Sequence, residues 1–400
     1  MILYLTAMEN TENNAIHENQ IISMLDDIPD LKCLFLTPLF ILNKKGFRLS
    51  LNKRQGRKIK EVKLPLLSYN FYMNPFLIPF LVLFSIPYLF LYIKKNNIKV
   101  IHCRNYLSTL LGLICKRFFP ELKIISDPRG IYPDEGAIIG RWKFKGVVHK
   151  TWKLIERWLF NNSDQVFALS KGMQLYIKEL GINSIYIPAI VDENKFSFSS
   201  TDRDDIRSKL NFSSNETIYV YSGSIGLWHD AELLSQAIYG HQKTIKNKQY
   251  TILILGGRDN TKNYLYSCGH KKVLQLTLKP CDVAKYLAAS DLAILPGQFG
   301  HEKYNDTLRT MISSKAEEYL VSGLPILCNY QIQEVINITK EKKLDVSFNK
   351  SCDVIDKGCS ISLNDRRSID RISDSNYFST MFSKKNVIVN YCKVYKCLLR

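Results

Sequence analysis

Lys315 and Glu318 stand three residues apart in the run Ser313-Ser314-Lys315-Ala316-Glu317-Glu318-Tyr319-Leu320-Val321-Ser322-Gly323-Leu324-Pro325. On a helix, that spacing puts an ammonium and a carboxylate on one face, while Ala316, Tyr319 and Leu320 cover another that can pack inward. The ammonium suits a phosphate, and the carboxylate suits sugar hydroxyls. Ser314 is the expected N-cap, with Glu317 reaching back to it as a capping box and Glu318 left available. Gly323 supplies a left-handed C-cap, after which Leu324-Pro325-Ile326-Leu327-Cys328 leaves as a short buried strand. An ordinary capped surface helix carries the same local signals, so the flanking motifs decide the reading.

Two glycine-rich turns follow apolar runs. Tyr219-Val220-Tyr221 leads into Ser222-Gly223-Ser224-Ile225-Gly226, where Gly223, Ser224 and Gly226 let a backbone approach a pyrophosphate and aim amides at it. Thr251-Ile252-Leu253-Ile254-Leu255 leads into Gly256-Gly257-Arg258, whose arginine pairs with a phosphate or caps a surface turn, both readings standing. If a phosphate held here is a departing group, negative charge builds on it, and Lys315, the Gly223 to Gly226 turn and Arg309 are the candidates to meet it. No carboxylate cluster has metal-ligand spacing, no Asp-x-Asp closes a strand, and the seven histidines give no His-x-x-x-His pair, so metal-independent chemistry is expected.

A second constellation lies in the first half of the chain. Ile124-Ile125-Ser126 leads into Asp127-Pro128-Arg129-Gly130-Ile131-Tyr132-Pro133-Asp134-Glu135-Gly136, which gathers three carboxylates and an arginine at a strand's carboxyl end. One apolar run earlier stands Ile101-His102-Cys103-Arg104. An Arg129 to Asp134 ion pair that only closes the loop is the plainer alternative, and His102 taken alone reads as a strand-end histidine.

These residues need elements to hold them. Short apolar runs alternate with helix-length segments, the pattern of doubly wound parallel sheets. Strands are expected at 2–6, 31–37, 61–67, 98–102, 122–126, 164–169 and 184–187, then at 217–221, 250–255, 271–276, 291–295 and 324–328. The domains expected are 1–190, a polar linker at 191–214, a second domain at 215–374, and a C-terminal helix at 375–400. In open α/β sheets ligands bind beyond the strands' carboxyl ends, so two such domains imply a cleft between those ends.

The 400 residues suit two domains, and 55 basic against 37 acidic side chains give a formal charge of +18. That balance predicts negative partners: nucleotide diphosphates and anionic lipid surfaces. Nucleic acid ranks last, because no nucleic-acid-binding motif is present. The ten cysteines form no Cys-x-x-Cys pair, and Cys33, Cys103 and Cys328 sit in apolar runs, as reduced core thiols of a cytoplasmic protein would. The N-terminus reads as a first strand and not as a signal peptide. Residues 75–93 carry no charge and have the length of a membrane span, yet Pro75, Pro79 and Pro87 interrupt them and a strand follows at once. With the basic stretch Lys44, Lys45, Arg48, Lys53, Arg54, Arg57, Lys58, Lys60 and Lys63 upstream, they read as a helix lying partly on the sheet and partly in the inner leaflet of the cell membrane. A solvated basic loop beside an internal helix is the alternative.

The helix run resembles the donor-binding helix of glycosyltransferase family 4. Lys315, Glu318, Tyr319, Gly323 and Pro325 match its Lys-x-x-Glu-Tyr-hydrophobic-Ala-x-Gly-x-Pro pattern position by position. The segment from Asp127 is similar to an Asp-x-Arg-Gly-aromatic-x-x-Glu segment of bacterial members that build surface polysaccharides, and His102-Cys103-Arg104 resembles their His-x-Arg. The resemblance spans most of residues 98–336. It implies the α/β GT-B fold, two doubly wound Rossmann-like domains facing a central cleft, with the C-terminal helix crossing back to the first. It implies a nucleotide diphosphate sugar as donor substrate, no cofactor, a lipid-linked or saccharide acceptor, and retention of anomeric configuration. Gly223, Ser224, Gly226, Arg258, Arg309, Lys315 and Glu318 make the donor side. Asp127, Arg129 and Glu135 are the catalytic candidates, and His102, Arg104 and Asp134 face the acceptor.

Three departures accompany the match. Thr310 stands where the longer signature carries a glutamate, Ile225 to Trp228 replace a basic pair, and Asn13, Asn14 and Ala15 replace a glycine in the first loop. Thr310 favours a second reading, a catalytically silent GT-B subunit that binds a partner or membrane. A nucleotide-sugar epimerase on the same fold is a third, disfavoured by the lipid-facing segment.

Overall fold

Apolar runs that alternate with helices bury both faces only inside a covered parallel sheet, and two such sheets form here. The computed structural model describes residues 1–9, 20–43, 46–49, 56–67, 75–223, 225–226, 229–244, 249–256, 260–297, 305–342, 344–348, 354–355 and 368–400. Met1–Pro188 together with Val387–Arg400 form one unit, and Ala189–Asn386 the other.

The first unit holds eight strands: β1 (Ile2–Ala7), β2 (Leu31–Asn43), β3 (Gly46–Leu49), β4 (Ile59–Leu67), β5 (Val100–Arg104), β6 (Lys123–Asp127), β7 (Gln165–Ala168) and β8 (Ile185–Tyr186). Their order is β3-β2-β1-β5-β6-β7-β8, with β4 also on β2. All pairs are parallel except the β2–β3 hairpin. β1 and β5 are buried throughout, and the winding reverses between them. β2 outruns its expected end at residue 37. The register of its pairing with β4 shifts between Pro38 and Phe40, where proline lacks an amide to give, and the apolar run then continues into the hairpin.

Helices Ile78–Asn96, Tyr106–Phe118 and Val147–Asn162 supply Leu81, Leu89, Ile93, Leu111, Trp152 and Leu159 to the same core as Leu5, Leu34, Ile101 and Ile124. The helix Lys384–Leu399 closes the chain, and its residues from Val387 onward belong to this unit.

Where it is described, the basic stretch is partly sheet: Arg48 falls in β3 and Lys60 and Lys63 in β4, with Arg57 and Lys58 in the bend before it. Lys58 donates to the carbonyls of Leu25 and Ile28, and Lys63 pairs at 2.7 Å with Glu61, which also accepts from Thr37. Lys44, Lys45, Lys53 and Arg54 lie outside the described residues.

The second unit orders β9 (Thr217–Ser222), β10 (Tyr250–Leu255), β11 (Val273–Leu276), β12 (Leu292–Leu295), β13 (Ile326–Asn329), β14 (Asp345–Phe348) and β15 (Val354–Ile355) as β11-β10-β9-β12-β13-β14-β15. Only β14–β15 is antiparallel. Here the winding reverses between β9 and β12. The segment expected as a linker at 191–214 carries helices Glu193–Phe196 and Ser200–Lys209 and belongs to this unit. Arg203 and Arg207 of the second helix reach Asp291 at 2.6 and 3.2 Å. They also cap the carbonyls of Ala288, Ala289 and Ser290. Polarity there marks an arginine clamp, which a hydrophobic-period reading does not see.

The helix around Lys315 spans Ser314–Val321, its cap one residue earlier than expected. Ser313 is extended (φ −91°, ψ 136°) and its hydroxyl accepts from the Lys315 amide, so Ser313 and not Ser314 is the N-cap. Glu317 does not form the capping box, because its buried carboxylate accepts the Ala189 amide at 3.1 Å. Gly323 ends the helix at φ +66° as expected.

Arg371 joins two helix ends. Its guanidinium, in a residue 4% exposed, donates to the carbonyls of Ala288 and Ser290 at 2.8 Å and of Ser322 at 2.9 Å. Arg371→Ala takes the guanidinium from the Ser322 carbonyl and leaves Ala288 and Ser290 to Arg203 alone; it is expected to lower the second unit's stability by about 1–3 kcal/mol, read as a lower urea midpoint. An unchanged midpoint would show that the clamp is dispensable.

Candidate functional site

In the second unit the candidate residues gather where the winding reverses, at the carboxyl ends of β9 and β12. Gly223 follows β9 at φ +114°, and a side chain there would place its Cβ 2.4 Å from Cε of Lys315. The bare backbone is what lets the lysine lie across the turn. The Lys315 ammonium sits 5.6 Å from the centre of the Tyr221 ring, and the Ser222 amide donates to the Tyr319 hydroxyl at 2.7 Å. Strand end and helix are thus tied together one helical turn from Lys315. Burial holds the Lys315 ammonium below its usual range against the attraction of Glu318. Burial likewise pushes the Glu318 carboxyl up to about 7, with Lys315 restraining the rise.

His229 belongs to this group, and sequence reasoning missed it. It exchanges backbone bonds with Gly226 at 3.0 and 3.1 Å and bridges to Gly297, so it links the turns after β9 and β12. The residue is 8% exposed, and its Nδ1 has no hydrogen-bond partner among the described residues. Burial and then the Lys315 charge push its pKa down to about 3, leaving a neutral imidazole beside the lysine. Its only signal in the sequence was its place directly after a glycine turn.

Gly226 stands in the turn after β9, exposed and paired with His229. Ser224 and Arg258 lie outside the described residues. Arg309, on the helix Asn305–Thr310, pairs with Asp306 of its own turn at 3.0 Å. Thr310 is buried, and its hydroxyl donates to the Thr307 carbonyl at 3.1 Å.

In the first unit, β6 ends in a buried carboxylate. Asp127 Oδ2 lies 2.6 Å from Arg129 Nη2 and 3.1 Å from His102 Nε2. On the far side of the ring, His102 Nδ1 is 2.7 Å from the Tyr395 hydroxyl. Burial outweighs the carboxylate's pull and holds His102 below its usual range, so the ring is neutral. The partners then fix the tautomer: Nε2–H donates to Asp127, and the Tyr395 hydroxyl donates to Nδ1. Burial works against the Asp127 charge, but Arg129 and then His102 overcome it and bring the pKa down to about 2. Arg129 also donates to the Tyr391 hydroxyl at 3.2 Å and to that of Tyr4 at 3.5 Å. Its backbone sits at φ +61°, a conformation these side-chain anchors hold.

The partner of Arg129 is therefore Asp127, two residues back, and not Asp134. Asp127, with 4% of its side chain exposed, and Arg129, with 13%, are anchors of the loop as placed here. Asp134 is buried in a separate network, bonded to His149 and Lys153 at 2.7 Å each. Lys153 reaches on to Glu156 and the Tyr176 hydroxyl. Glu135 remains half-buried on the short helix Tyr132–Ile138, its carboxylate so close to Gly130 that an added Cβ would meet Oε1 at 2.0 Å. Burial first, then Asp134 and Glu156, push its pKa up to about 7. Arg104, at the end of β5, lies 3.4 Å from both Glu9 and Gln20, and Asn105 donates to Glu9 at 2.8 Å. These two stand where the winding of the first sheet reverses. Tyr391 and Tyr395 went unread in the sequence, although their spacing of four puts both hydroxyls on one helix face.

The sequence profile of Glycosyltransferase Family 4 matches residues 50–195. That range holds the Asp127 loop, while the helix that carries the resemblance most visibly lies beyond it. Among solved structures, sucrose-phosphate synthase from Thermosynechococcus elongatus superposes with a TM-score of 0.68 at 13% identity, over 100% of this chain and 99% of that one. Anabaena HepE, solved with UDP and glucose, gives 0.58 at 13% identity over 99% of both chains. WaaG, a glycosyltransferase involved in lipopolysaccharide biosynthesis, gives 0.56 at 11% identity over 94% of both. At such identities the likeness shows the fold, and the fold is GT-B. Among curated proteins, no sequence match is significant.

Tyr395→Phe leaves the buried Nδ1 of His102 without a donor and is expected to cost the first unit about 1–3 kcal/mol in urea unfolding. A double-mutant cycle with His102 checks that the loss runs through this bond; additivity would contradict it. Glu135 and Glu318 hold protons in the fold at pH values where the unfolded chain has released them. Their contribution is complete below the usual carboxyl range and is lost as pH rises towards about 7. The Glu135→Gln/Glu318→Gln variant should therefore gain thermal stability relative to the native chain between pH 5 and pH 8. Parallel melting curves across that range would refute the assignment.

Proposed function

We propose that this chain, a GT-B protein whose first unit carries a glycosyltransferase family 4 match, moves a sugar from a nucleotide diphosphate donor to a lipid-linked or saccharide acceptor. The single observation that carries the reading is the second-unit constellation: Lys315 laid across the Gly223 turn, with Glu318 one turn along the same helix. Glycosyl transfer breaks the bond between the anomeric carbon and the diphosphate oxygen and forms one to an acceptor hydroxyl, whose proton leaves with the diphosphate. Lys315 and the Gly223 backbone meet the charge that grows on the departing phosphate. Glu318 accepts hydrogen bonds from the nucleotide ribose. The neutral ring of His229 adds a polar contact that does not compete for the phosphate as an anion would.

The anchored Asp127–Arg129 loop presents Glu135 to the acceptor. A carboxyl with a pKa of about 7 either donates a hydrogen bond or takes a proton near neutrality. Retention of configuration, a hexose as the transferred sugar and a role in cell-surface polysaccharide synthesis follow from the family resemblance and belong to this proposal. So does a cytoplasmic location, which fits the eight free cysteines among the described residues.

The second reading, a silent scaffold, draws on Thr310, which stands in place of a carboxylate and whose buried hydroxyl gives its proton to the Thr307 carbonyl. Nucleotide binding separates the two. Calorimetry with UDP, GDP and ADP is expected to show one of them binding, and Lys315→Ala should weaken it by about 2 kcal/mol, roughly 30-fold, with the melting temperature unchanged. If none of the three binds the native chain, the transferase reading falls and the scaffold stands.

A further inference from the structure

A helix on the surface of a soluble unit turns an apolar stripe inward and a polar one to water. Helix Ile78–Asn96 is apolar on both. Leu81, Ser85, Leu89 and Ile93 recur every four residues and are buried, the three aliphatic ones within the core of the first unit. On the opposite side Phe80, Leu83, Phe84, Pro87 and Leu91 recur at three- and four-residue intervals and are exposed. Phe80 is 54% exposed, Leu83 64% and Leu91 66%, where charged or polar residues would ordinarily stand. The stripe from Phe80 to Leu91 runs about 16 Å along the helix. Phe118 extends it: it is 61% exposed and meets Phe90 edge-on at 6.1 Å.

The charges around this face are predominantly basic. The helix contains no acidic residue, and its last turn carries the exposed Lys94 and Lys95. Lys60 lies over the rings of Tyr88 and Tyr92 at 5.4 and 5.8 Å, and Arg117 is exposed beside Phe118. Glu121 is the nearby exposed carboxylate along that chain segment. An apolar stripe rimmed by cations complements an anionic bilayer: acyl chains take the phenylalanines and leucines while headgroup phosphates take the lysines.

The helix has the length and composition of a span. Its buried stripe, however, shares a core with β1, β2 and β5, and crossing the bilayer would strip that core from the sheet. We infer that helix Ile78–Asn96 lies in the plane of an anionic membrane and docks the protein there through Phe80, Leu83, Phe84, Leu91 and Phe118, with Lys60, Lys94, Lys95 and Arg117 on the headgroups. Of the basic residues at 44–63, Lys60 joins this contact, whereas Lys58 and Lys63 are engaged within the first unit by the carbonyls of Leu25 and Ile28 and by Glu61. The docking does not depend on the transfer chemistry.

Flotation of the full chain with phosphatidylcholine vesicles, with and without phosphatidylglycerol, tests it. The native chain should float with the anionic vesicles, less so at high salt, and not with phosphatidylcholine alone. Leu83→Asn/Leu91→Asn should weaken binding at least about tenfold with the melting temperature unchanged. Lys94→Glu/Lys95→Glu should weaken it by a similar factor. Three results overturn the inference. The native chain could stay unbound. The lysine variant alone could lose binding, which would make the contact purely electrostatic. Or the leucine variant could convert a dimer into a monomer with no effect on flotation, which would make the face a self-interface.

Discussion

A full negative charge at the end of a buried strand has to be balanced inside the fold, and much of the first unit is arranged around that requirement at Asp127. With 4% of its side chain exposed, the carboxylate has little help from water. Arg129 supplies the charge from two residues along, and its own backbone takes a left-handed φ of +61° there. His102 supplies a neutral donor, and a neutral histidine with both nitrogens buried needs a second partner, which the last helix delivers as Tyr395. Tyr391 from the same helix and Tyr4 from β1 take up Arg129. Strands β1, β5 and β6 and the chain's final turns are thereby fastened to one loop, and Glu135 and Gly130 take their positions from it.

The second unit meets a related requirement differently. Its candidate site is built from backbone and from groups held partly against their preferred charge: a lysine below its usual range, a carboxyl near 7 and an imidazole that stays neutral. Groups held against their preferred charge in this way mark a candidate site, and the proposed donor is the ligand whose phosphate oxygens and hydroxyls would suit them. These groups in the second unit, like Arg104 at the end of β5 in the first, stand where the winding of the sheet reverses, the place at which neighbouring loops part and leave strand ends open. The outer face of helix Ile78–Asn96 carries a third unmet demand, an apolar one.

The strand pattern was legible because parallel strands covered on both sides are continuous apolar runs, and those from β1 to β13 follow it except for β3. β3 and the far end of β2 were missed: the strand runs on past Pro38, which marks only a shift of register. β14 and β15 were missed because Asp345-Val346-Ser347-Phe348 is short and mixed. The polar segment at 191–214 read as a linker because its arginines bind carbonyls and Asp291 far along the chain, and no local period reports such partners. At the candidate site, Lys315, Glu318 and Gly223 were legible as spacing, whereas His229 is a lone residue whose neighbours arrive from other strands.

The sequence by itself determined the alternation of strands and helices, the glycine after β9 and the helical face shared by Lys315 and Glu318, because these rest on contacts between residues a few positions apart. The tertiary structure alone decided that Asp127, Arg129 and His102 are locked by two tyrosines from the chain's end, that Asp134 turns away into its own network, and that a span-like helix packs one side against the sheet and leaves the other bare. Each of those outcomes depends on which distant groups share a buried volume, and burial sets whether a charge is kept, paired or neutralised.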